Sequence, residues 1–456
     1  MLPGMNAPTE FVLPSMAVSD TLRRDTGPEL PRVKPEPART SFLTQMLHDA
    51  VRHDGGRATA TFKGYQLTSA YQPIFGLAHR RAVGYEALLR ATDAAGAAVS
   101  PLQVFASAET TEGIVHLDRT CRILHTQNHR PLAAADRWLF LNINPRVVIE
   151  GKLYGPFFAE LLTRSALRPS QVVVEILENE ITDEGLLAES VSYYKELGCL
   201  VAIDDFGAGH SNFDRILRLA PDMVKLDRGL MQHARHNPAA RRMLPGLVTL
   251  LHEAGSLVVM EGIEDETEAL LAMEADADFA QGYYFARPAA AGLIAHLPPA
   301  AFDSLSRTAR AGLHGESARR AAALQPCIRA FEHCAASYGA GVDLAAAAGD
   351  LLGNADVLRC YALDNNGIQL GGNVVSSGNS RTLHPRYAPL DATTGCDWSG
   401  RPYFRRAVAE PGTVQVTRPY FSITDAAMNI TLSVAVPRDG RLHVICCDMR
   451  YPLGGK

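Results

Sequence analysis

The run Cys199-Leu200-Val201-Ala202-Ile203-Asp204-Asp205-Phe206-Gly207-Ala208-Gly209-His210-Ser211-Asn212 passes from an apolar, β-branched stretch to two adjacent carboxylates and a loop carrying two glycines. Its first five residues read as a buried strand. Beyond the loop, Phe213-Asp214-Arg215-Ile216-Leu217-Arg218-Leu219 has apolar residues at helical spacing. Neighbouring residues on a regular strand point to opposite faces, so Asp204 and Asp205 can reach one site only where the strand has ended. Gly207 and Gly209 allow that ending, because glycine adopts backbone angles that other residues avoid. Two carboxylates side by side repel each other unless a cation lies between them. An isolated Asp pair more often caps a turn, and the rest of the chain decides between the two readings.

Outward from this run, strand and helix patterns alternate from Tyr65 to about Pro298. Strand-like runs are 67–75, 82–90, 138–143, 172–177, 200–204, 223–227, 257–262 and 282–285. Helical patterns lie between most of them, at 104–125, 157–165, 186–197, 212–219, 239–254 and 266–275. Eight strands with intervening helices predict an α/β fold, a modified TIM-type (β/α)8 barrel whose site gathers at the carboxyl ends of the strands. Only Gly76 to Arg81 joins the first two strands, too few residues for a crossover helix, so the first strand should run antiparallel.

The flanking segments differ in composition. Residues 1–58 form a Pro-rich stretch with prolines at 3, 8, 14, 28, 31, 35 and 37, expected to be a flexible tail apart from a short helix near 41–51. The barrel domain is expected over 59–300, connecting helices over the Ala-rich 301–352, and a further domain over 353–456. In the last, 357–363 and 368–374 read as a hairpin around Asp364-Asn365-Asn366-Gly367. Strands 412–423, 429–436 and 442–448 and a helix near 403–409 complete a small α+β module.

Bulk properties exclude several classes. The 456 residues are 47% hydrophobic with a formal net charge of -5, which gives no sign of a nucleic-acid polymer as partner. No apolar run approaches the roughly 20 residues needed for a membrane span. The N-terminus lacks a signal-peptide layout. The eight cysteines form no CxxC pair, and Cys446-Cys447 read as strand packing, so the expectation is a cytoplasmic protein with buried free thiols.

Polar groups recur where the barrel strands should end. In Tyr85-Glu86-Ala87-Leu88-Leu89-Arg90, the period of two puts Glu86 and Arg90 on one face. Asn142 ends one strand, Glu175 another, and Glu261 a third, with Glu264 three residues on. Met223-Val224-Lys225-Leu226-Asp227 puts Lys225 and Asp227 on the inner face, where an unpaired charge is expensive. Glu86, Asn142, Glu175, Asp204, Asp205 and Glu261 are an all-oxygen set that suits Mg²⁺ or Mn²⁺ rather than zinc. So many carboxylates exceed what one divalent ion neutralises, and two ions would clamp a phosphoester displacement. Lys225 could hold a water or steady phosphate charge, and Arg90 could grip a phosphate. Any one of these residues alone would more often be a cap or a solvated charge.

These residues also carry a family signature. Tyr85-Glu86-Ala87-Leu88-Leu89-Arg90 resembles the namesake motif of EAL-domain phosphodiesterases, which hydrolyse cyclic di-GMP, and Asp204 to Asn212 resembles their DDFGxGxSN loop at every specified position. Also similar are Tyr71-Gln72-Pro73, Asn142, Glu175-Ile176-Leu177-Glu178, Lys225-Leu226-Asp227, Glu261-Gly262-Ile263-Glu264 and Gln281-Gly282-Tyr283-Tyr284-Phe285, with Pro288 beyond. The resemblance spans about 60 to 298. It implies that Glu86, Asn142, Glu175 and Asp204 ligate a first Mg²⁺ or Mn²⁺, and that Asp204 and Asp205 serve a second, Asp204 bridging. It gives Glu86, Lys225 and Glu261 catalytic roles, Lys225 orienting the water and Glu261 acting as base or positioning group. It makes Gln72, Arg90 and Pro288 substrate contacts, Glu178 the anchor of the loop, and Asp227, Glu264 and Gln281 supporting residues. It further implies a homodimer through this domain. Leu177 replaces the usual Thr, Ala91 a bulkier residue, and Asn144 a frequent Ser; none removes a ligand. No GGDEF-like segment is present, so the chain should not synthesise the nucleotide.

The C-terminal motifs Asp397-Trp398-Ser399-Gly400-Arg401-Pro402-Tyr403-Phe404, Arg418-Pro419-Tyr420-Phe421-Ser422 and Ile430-Thr431-Leu432-Ser433 resemble the distal part of Cache (PAS-like) sensor domains. That resemblance implies an unidentified small ligand. Ser422 stands where amino-acid-binding versions carry Asp, which speaks against an amino acid, and a ligand-free dimerisation module is the alternative. For the whole chain, the implied activity is hydrolysis of cyclic di-GMP to linear 5'-pGpG. A receptor that binds the nucleotide without cutting it is the competing reading, but such receptors typically lose ligands that are present here.

Overall fold

The computed structural model describes residues 42–133, 137–144, 146–147, 157–165, 167–177, 183–209, 213–294, 299–375, 390, 392–422, 424 and 427–451. Two units emerge, Met1–Pro299 and Ala300–Lys456. In the first, eight strands close a barrel: β1 (Tyr65–Gly76), β2 (Arg81–Thr92), β3 (Trp138–Asn142), β4 (Val172–Leu177), β5 (Leu200–Phe206), β6 (Met223–Leu226), β7 (Leu257–Met260) and β8 (Phe279–Ala280). From β2 to β8 each strand pairs parallel with the next. β1 pairs antiparallel with both β2 and β8, as its short connection requires.

The barrel floor is one apolar layer with a residue from every strand: Ile74, Val83, Phe140, Val173, Ala202, Met223, Val259 and Phe279. All eight are buried, which anchors the wall from which the polar strand ends project.

Four expectations change here. First, the expected helix near 41–51 is present as Phe42–Asp49, but the flexible tail expected over 1–58 does not reach its stated end, because Arg52–Asp54 pairs with Arg57–Phe62. Leu47, Ala58 and Ala60 are buried, and Asn128 brackets Ala58 with hydrogen bonds of 2.8 and 2.9 Å. Second, the helical pattern 104–125 is two helices, Pro101–Ala106 and Thr111–Asn128. The Thr110 hydroxyl accepts from Gly113 N–H at 3.1 Å and starts the second one as an N-cap. Third, the last strand is Phe279–Ala280 and not 282–285, whose aromatic run is a turn. Gly282 lies against the backbone of Ile263, too close for any Cβ, and Tyr284 N–H donates to Ile263 O at 3.0 Å.

The fourth concerns Asp204 and Asp205. The strand does not end between them: β5 runs on to Phe206. The ladder pairs Ile203 with Val224 and then Phe206 with Leu226, so Asp204 and Asp205 together face Lys225 alone. This is a β-bulge. Asp205 sits at φ +56°, a left-handed conformation that Asp tolerates better than most residues. Gly207 follows at φ +100°, pressed against Leu230.

The second unit is built on an antiparallel sheet, β9 (Val357–Leu363), β10 (Val374–Val375), β11 (Gln415–Val416), β12 (Tyr420–Ser422), β13 (Ala427–Arg438) and β14 (Arg441–Arg450). Its order is β10-β9-β14-β13-β11, with β12 also on β13. The expected strand 412–423 is thus two short strands, separated by a segment in which Pro419 offers no N–H. The expected connector 301–352 is more than a connector. Helix Pro299–Gly339 sends Leu324, Cys327, Phe331, Cys334 and Tyr338 onto one face of the sheet, against Cys360, Leu432, Ile445 and Cys447. Helix Pro402–Ala409 covers part of the other face through Tyr403, Phe404 and Ala407.

Candidate active site

Two residues up each strand from the apolar floor comes a polar layer. It holds Gln72, Glu86, Asn142, Glu175, Asp204, Lys225, Glu261 and Gln281, one from each strand or from the residue just past its end. The period of two makes this unavoidable: whatever stands two places beyond an inward apolar residue also points inward. In β2 the step is three residues, because the ladder slips one place between Gly84 and Ala82 and so brings Glu86 into line opposite Gln72.

Lys225 is the hub. Its Nζ lies 2.6 Å from Glu261 Oε1, 2.7 Å from Glu175 Oε1, 3.0 Å from Asp204 Oδ1 and 3.8 Å from Glu86 Oε2. The lysine is 1% exposed. Burial by itself would lower its pKa, yet Asp204, Glu175, Glu261 and Glu86 outweigh that and hold it well above the ordinary lysine value. It is therefore a fixed cation and not a base. The carboxylates feel the converse. Burial drives Glu175 well above the usual range, reinforced by Glu86 and Asp204 against the pull of Lys225. Glu261 is raised to about 8 and Asp205 to about 6, in both cases by burial first and then by repulsion from Asp204.

Amides complete the layer. Gln281 Nε2 donates to Glu86 Oε2 at 2.6 Å and also contacts Gln72 Oε1 at 3.3 Å, while Asn142 Nδ2 donates to Glu86 Oε1 at 3.0 Å. Both oxygens of Glu86 are thus oriented. Gln72 Nε2 reaches Ala286 O at 3.2 Å, which ties β1 to the segment leading to Pro288. Half-buried Pro288 is held there because Ala289 bridges to Tyr71. Arg90 shares the Glu86 face four residues farther out, with Nη1 on Leu89 O at 2.8 Å.

Two expected members stand apart. Asp227 does not share the inner face with Lys225, because the strand ends at Leu226 and Asp227 caps helix Arg228–His236, accepting from Gly229 N–H at 2.8 Å. Glu264 pairs with Arg228 at 2.8 Å, its side chain 44% exposed, away from the carboxylate cluster. Glu178 and His210–Asn212 lie outside the described residues. Two buried carboxylates with no motif to mark them hold segments just beyond strand ends. Asp118 accepts from the Asn144 N–H at 3.1 Å, and Glu268 accepts from the Glu264 N–H at 2.8 Å. Asp118 left one signal, a carboxylate on the buried face of helix Thr111–Asn128.

The layer fits divalent cations on its own chemistry. Oxygens of Asp204, Asp205 and Glu261 lie within 4.8 Å of one another. Buried Glu175 Oε2 has no hydrogen-bond partner among the described residues. Five carboxylates against one ammonium leave a deficit that two divalent cations would neutralise, and the donors are hard oxygens.

Comparison with known proteins agrees with this geometry. Residues 57–288 match the family model described as EAL domain. The cyclic di-GMP phosphodiesterase RocR of Pseudomonas aeruginosa is 36% identical over 156 residues, 33% of this chain and 38% of that protein. PdeN of Escherichia coli, named as a probable cyclic di-GMP phosphodiesterase, is 30% identical over 250 residues, 52% of this chain and 47% of that protein. This chain thus spans less than half the length of either relative. Among solved structures, the Bacillus subtilis YkuI protein, an EAL-domain protein crystallised with c-di-GMP and calcium, shares the fold. Its TM-score is 0.70 at 22% identity, covering 85% of this chain and 96% of that one.

Proposed function

Because the chain belongs to the EAL-domain family, with its polar layer intact, we propose that it hydrolyses cyclic di-GMP to linear 5'-pGpG using two Mg²⁺ or Mn²⁺ ions. The observation that carries this reading is Lys225 set among Glu86, Glu175, Asp204 and Glu261, with Asp205 swung into the same mouth by the bulge. Glu86, Asn142, Glu175, Asp204, Asp205 and Glu261 would hold the ions. When bound, the two cations activate water and offset charge on the phosphate in flight. Lys225, charged throughout, orients the water and steadies the same charge. Glu261, whose Oε1 lies 2.6 Å from Lys225 Nζ, would act as base or as the group that positions the water. Gln72, Arg90 and Pro288 would line the nucleotide. The test is incubation with cyclic di-GMP and Mg²⁺ or Mn²⁺, with products separated by chromatography. Formation of pGpG is expected; tight binding without pGpG at either metal would replace this reading with the receptor.

The reading extends to assembly and regulation. A homodimer through the first unit is supported by Phe213 and Leu217, 38% and 68% exposed on helix Phe213–Leu219 directly after the glycine loop. Light scattering of Leu217→Glu should then report a monomer. A reducing, cytoplasmic setting suits eight free cysteines. Among the described residues no helix is long and apolar enough to cross a membrane. For the second unit, residues 353–456 with helices 301–352, a sensory role is supported by a polar cavity bordered by Arg359, Tyr361, Thr393, Trp398, Tyr420 and Asp448. Hydrolysis measured with and without residues 301–456 tests that role.

A further inference from the structure

We propose that Asp118, held by Arg122, is a positioning residue that fixes Asn142 in the cation-binding layer. The inference rests on reading that layer as a divalent-cation site. Asp118 stands on helix Thr111–Asn128, outside the barrel wall, and is 3% exposed. One of its oxygens accepts from the backbone N–H of Asn144 at 3.1 Å, 26 residues away. The other pairs with Arg122 one turn along the same helix. Arg122 is 2% exposed, hydrogen-bonds Tyr194 and lies 5.6 Å over the ring of Phe158.

An ion pair so deeply buried is poor value for stability alone, since the desolvation of both charges offsets their attraction. The neighbouring helix positions Ile114, Leu117, Cys121 and Leu124 are apolar and buried, so packing did not call for a carboxylate. What the carboxylate supplies is an anchor at a strand end. Ile143 N–H donates to Glu175 O at 3.1 Å and extends the ladder one residue past Asn142. The next amide, Asn144 N–H, has left the sheet, and Asp118 takes it. Asn144 Oδ1 then accepts from Arg146 N–H at 3.0 Å and turns the chain away. Both peptide groups after Asn142 are thereby fixed. That matters most at this position, because Asn142 is exposed whereas Glu175 and Lys225 on the neighbouring wall are 1% exposed and held by packing. With its backbone pinned, the Asn142 side chain keeps its 3.0 Å hydrogen bond to Glu86.

The experiment is calorimetric titration of the full chain with Mn²⁺. Asp118→Ala/Arg122→Met removes the anchor without leaving a lone buried charge, and should weaken Mn²⁺ binding about tenfold in a folded protein. Asn142→Ala should weaken it comparably, and adding the pair to Asn142→Ala should change nothing further. Asn144→Pro deletes the donated N–H, leaves the ion pair in place, and should reproduce the tenfold loss even where the double variant fails to fold. Wild-type Mn²⁺ affinity in Asn144→Pro or in the folded double variant would overturn the proposal, as would a full additional loss on top of Asn142→Ala. Hydrolysis is assayed on the same samples. A chain that shows this binding pattern but forms no pGpG overturns the phosphodiesterase reading and leaves the role of Asp118 standing; a wild-type chain that binds no Mn²⁺ overturns both.

Discussion

Each unit of this protein buries a charged cluster, and the two are balanced differently. In the second unit Arg359 meets one carboxylate, Asp448, donating from Nε at 2.8 Å and Nη2 at 2.5 Å. Thr431 hydroxyl takes the other oxygen of Asp448 at 2.7 Å, and Tyr420 and Thr431 hydroxyls lie 2.6 Å apart. Charge meets charge and the remaining lone pairs are filled. In the barrel, one ammonium serves four carboxylates with a fifth beside them, and the result shows in Glu175, Glu261 and Asp205, all pushed toward the protonated form. A balanced cluster is finished by its own side chains. An overfilled one has carboxylates left over, the arrangement that suits added cations.

The sharpest break in this comparison is removal of one carboxylate from each cluster. Asp204→Ala or Glu86→Ala should lower hydrolysis by at least about 100-fold. The metal-free melting temperature should hold or rise, because a repulsion has been relieved. Retained activity in either variant would refute the ligand assignment. Asp448→Ala should do the reverse, costing about 3–5 kcal/mol in denaturant unfolding of the second unit while Mn²⁺ affinity stays unchanged. Arg359→Met/Asp448→Leu should recover most of that loss; failure to recover would mean that the pair does more than balance itself. Gly207→Ala should cost about 1–3 kcal/mol, since φ +100° and the contact with Leu230 both exclude a methyl group. Calorimetric unfolding gives the value, and an unchanged melting temperature would remove the steric account.

The smallest effect is on pH. Asp205 and Glu261 carry values of about 6 and 8 in the folded, metal-free protein, against roughly 4 for ordinary carboxylates. The folded state then keeps protons that the unfolded chain has released, so metal-free stability falls as pH rises from about 4 through 8. Mn²⁺ displaces those protons, and its affinity should climb across the same window. Titrations in buffers of different ionisation enthalpy should show proton release below pH 8. A pH-independent affinity with no proton release would show the cluster to be fully ionised before the metal arrives.

Much of the site was legible because strand parity is local. Asn142, Glu175, Lys225 and Glu261 each stand two places beyond an inward apolar residue, and parity alone turns them inward, whereas Glu86 needed the slip in the β2 ladder as well. Asp227 misled for the same local reason: the period of two was carried one residue past the end of β6, where the chain had already begun a helix. The last strand was misplaced because β8 has only two residues, too short to leave a pattern. The aromatic run after it looks strand-like until Gly282 is seen lying against Ile263. Asp118 was invisible as an anchor, since its partner lies 26 residues away and the bond exists only once helix and strand end are packed.

What the sequence determined by itself was the alternation of strands and helices, the antiparallel first strand and the chemical identity of the inward-facing oxygen donors. All of these follow from residue type and short-range period. Tertiary structure decided how those donors meet. It turned the Asp204–Asp205 pair from the end of a strand into a bulge opposite Lys225, it stacked the polar layer on an apolar floor, and it pinned Asn142 through Asp118. Closure of the barrel is the reason, because register between strands far apart in the chain is set only when every strand has found its neighbours.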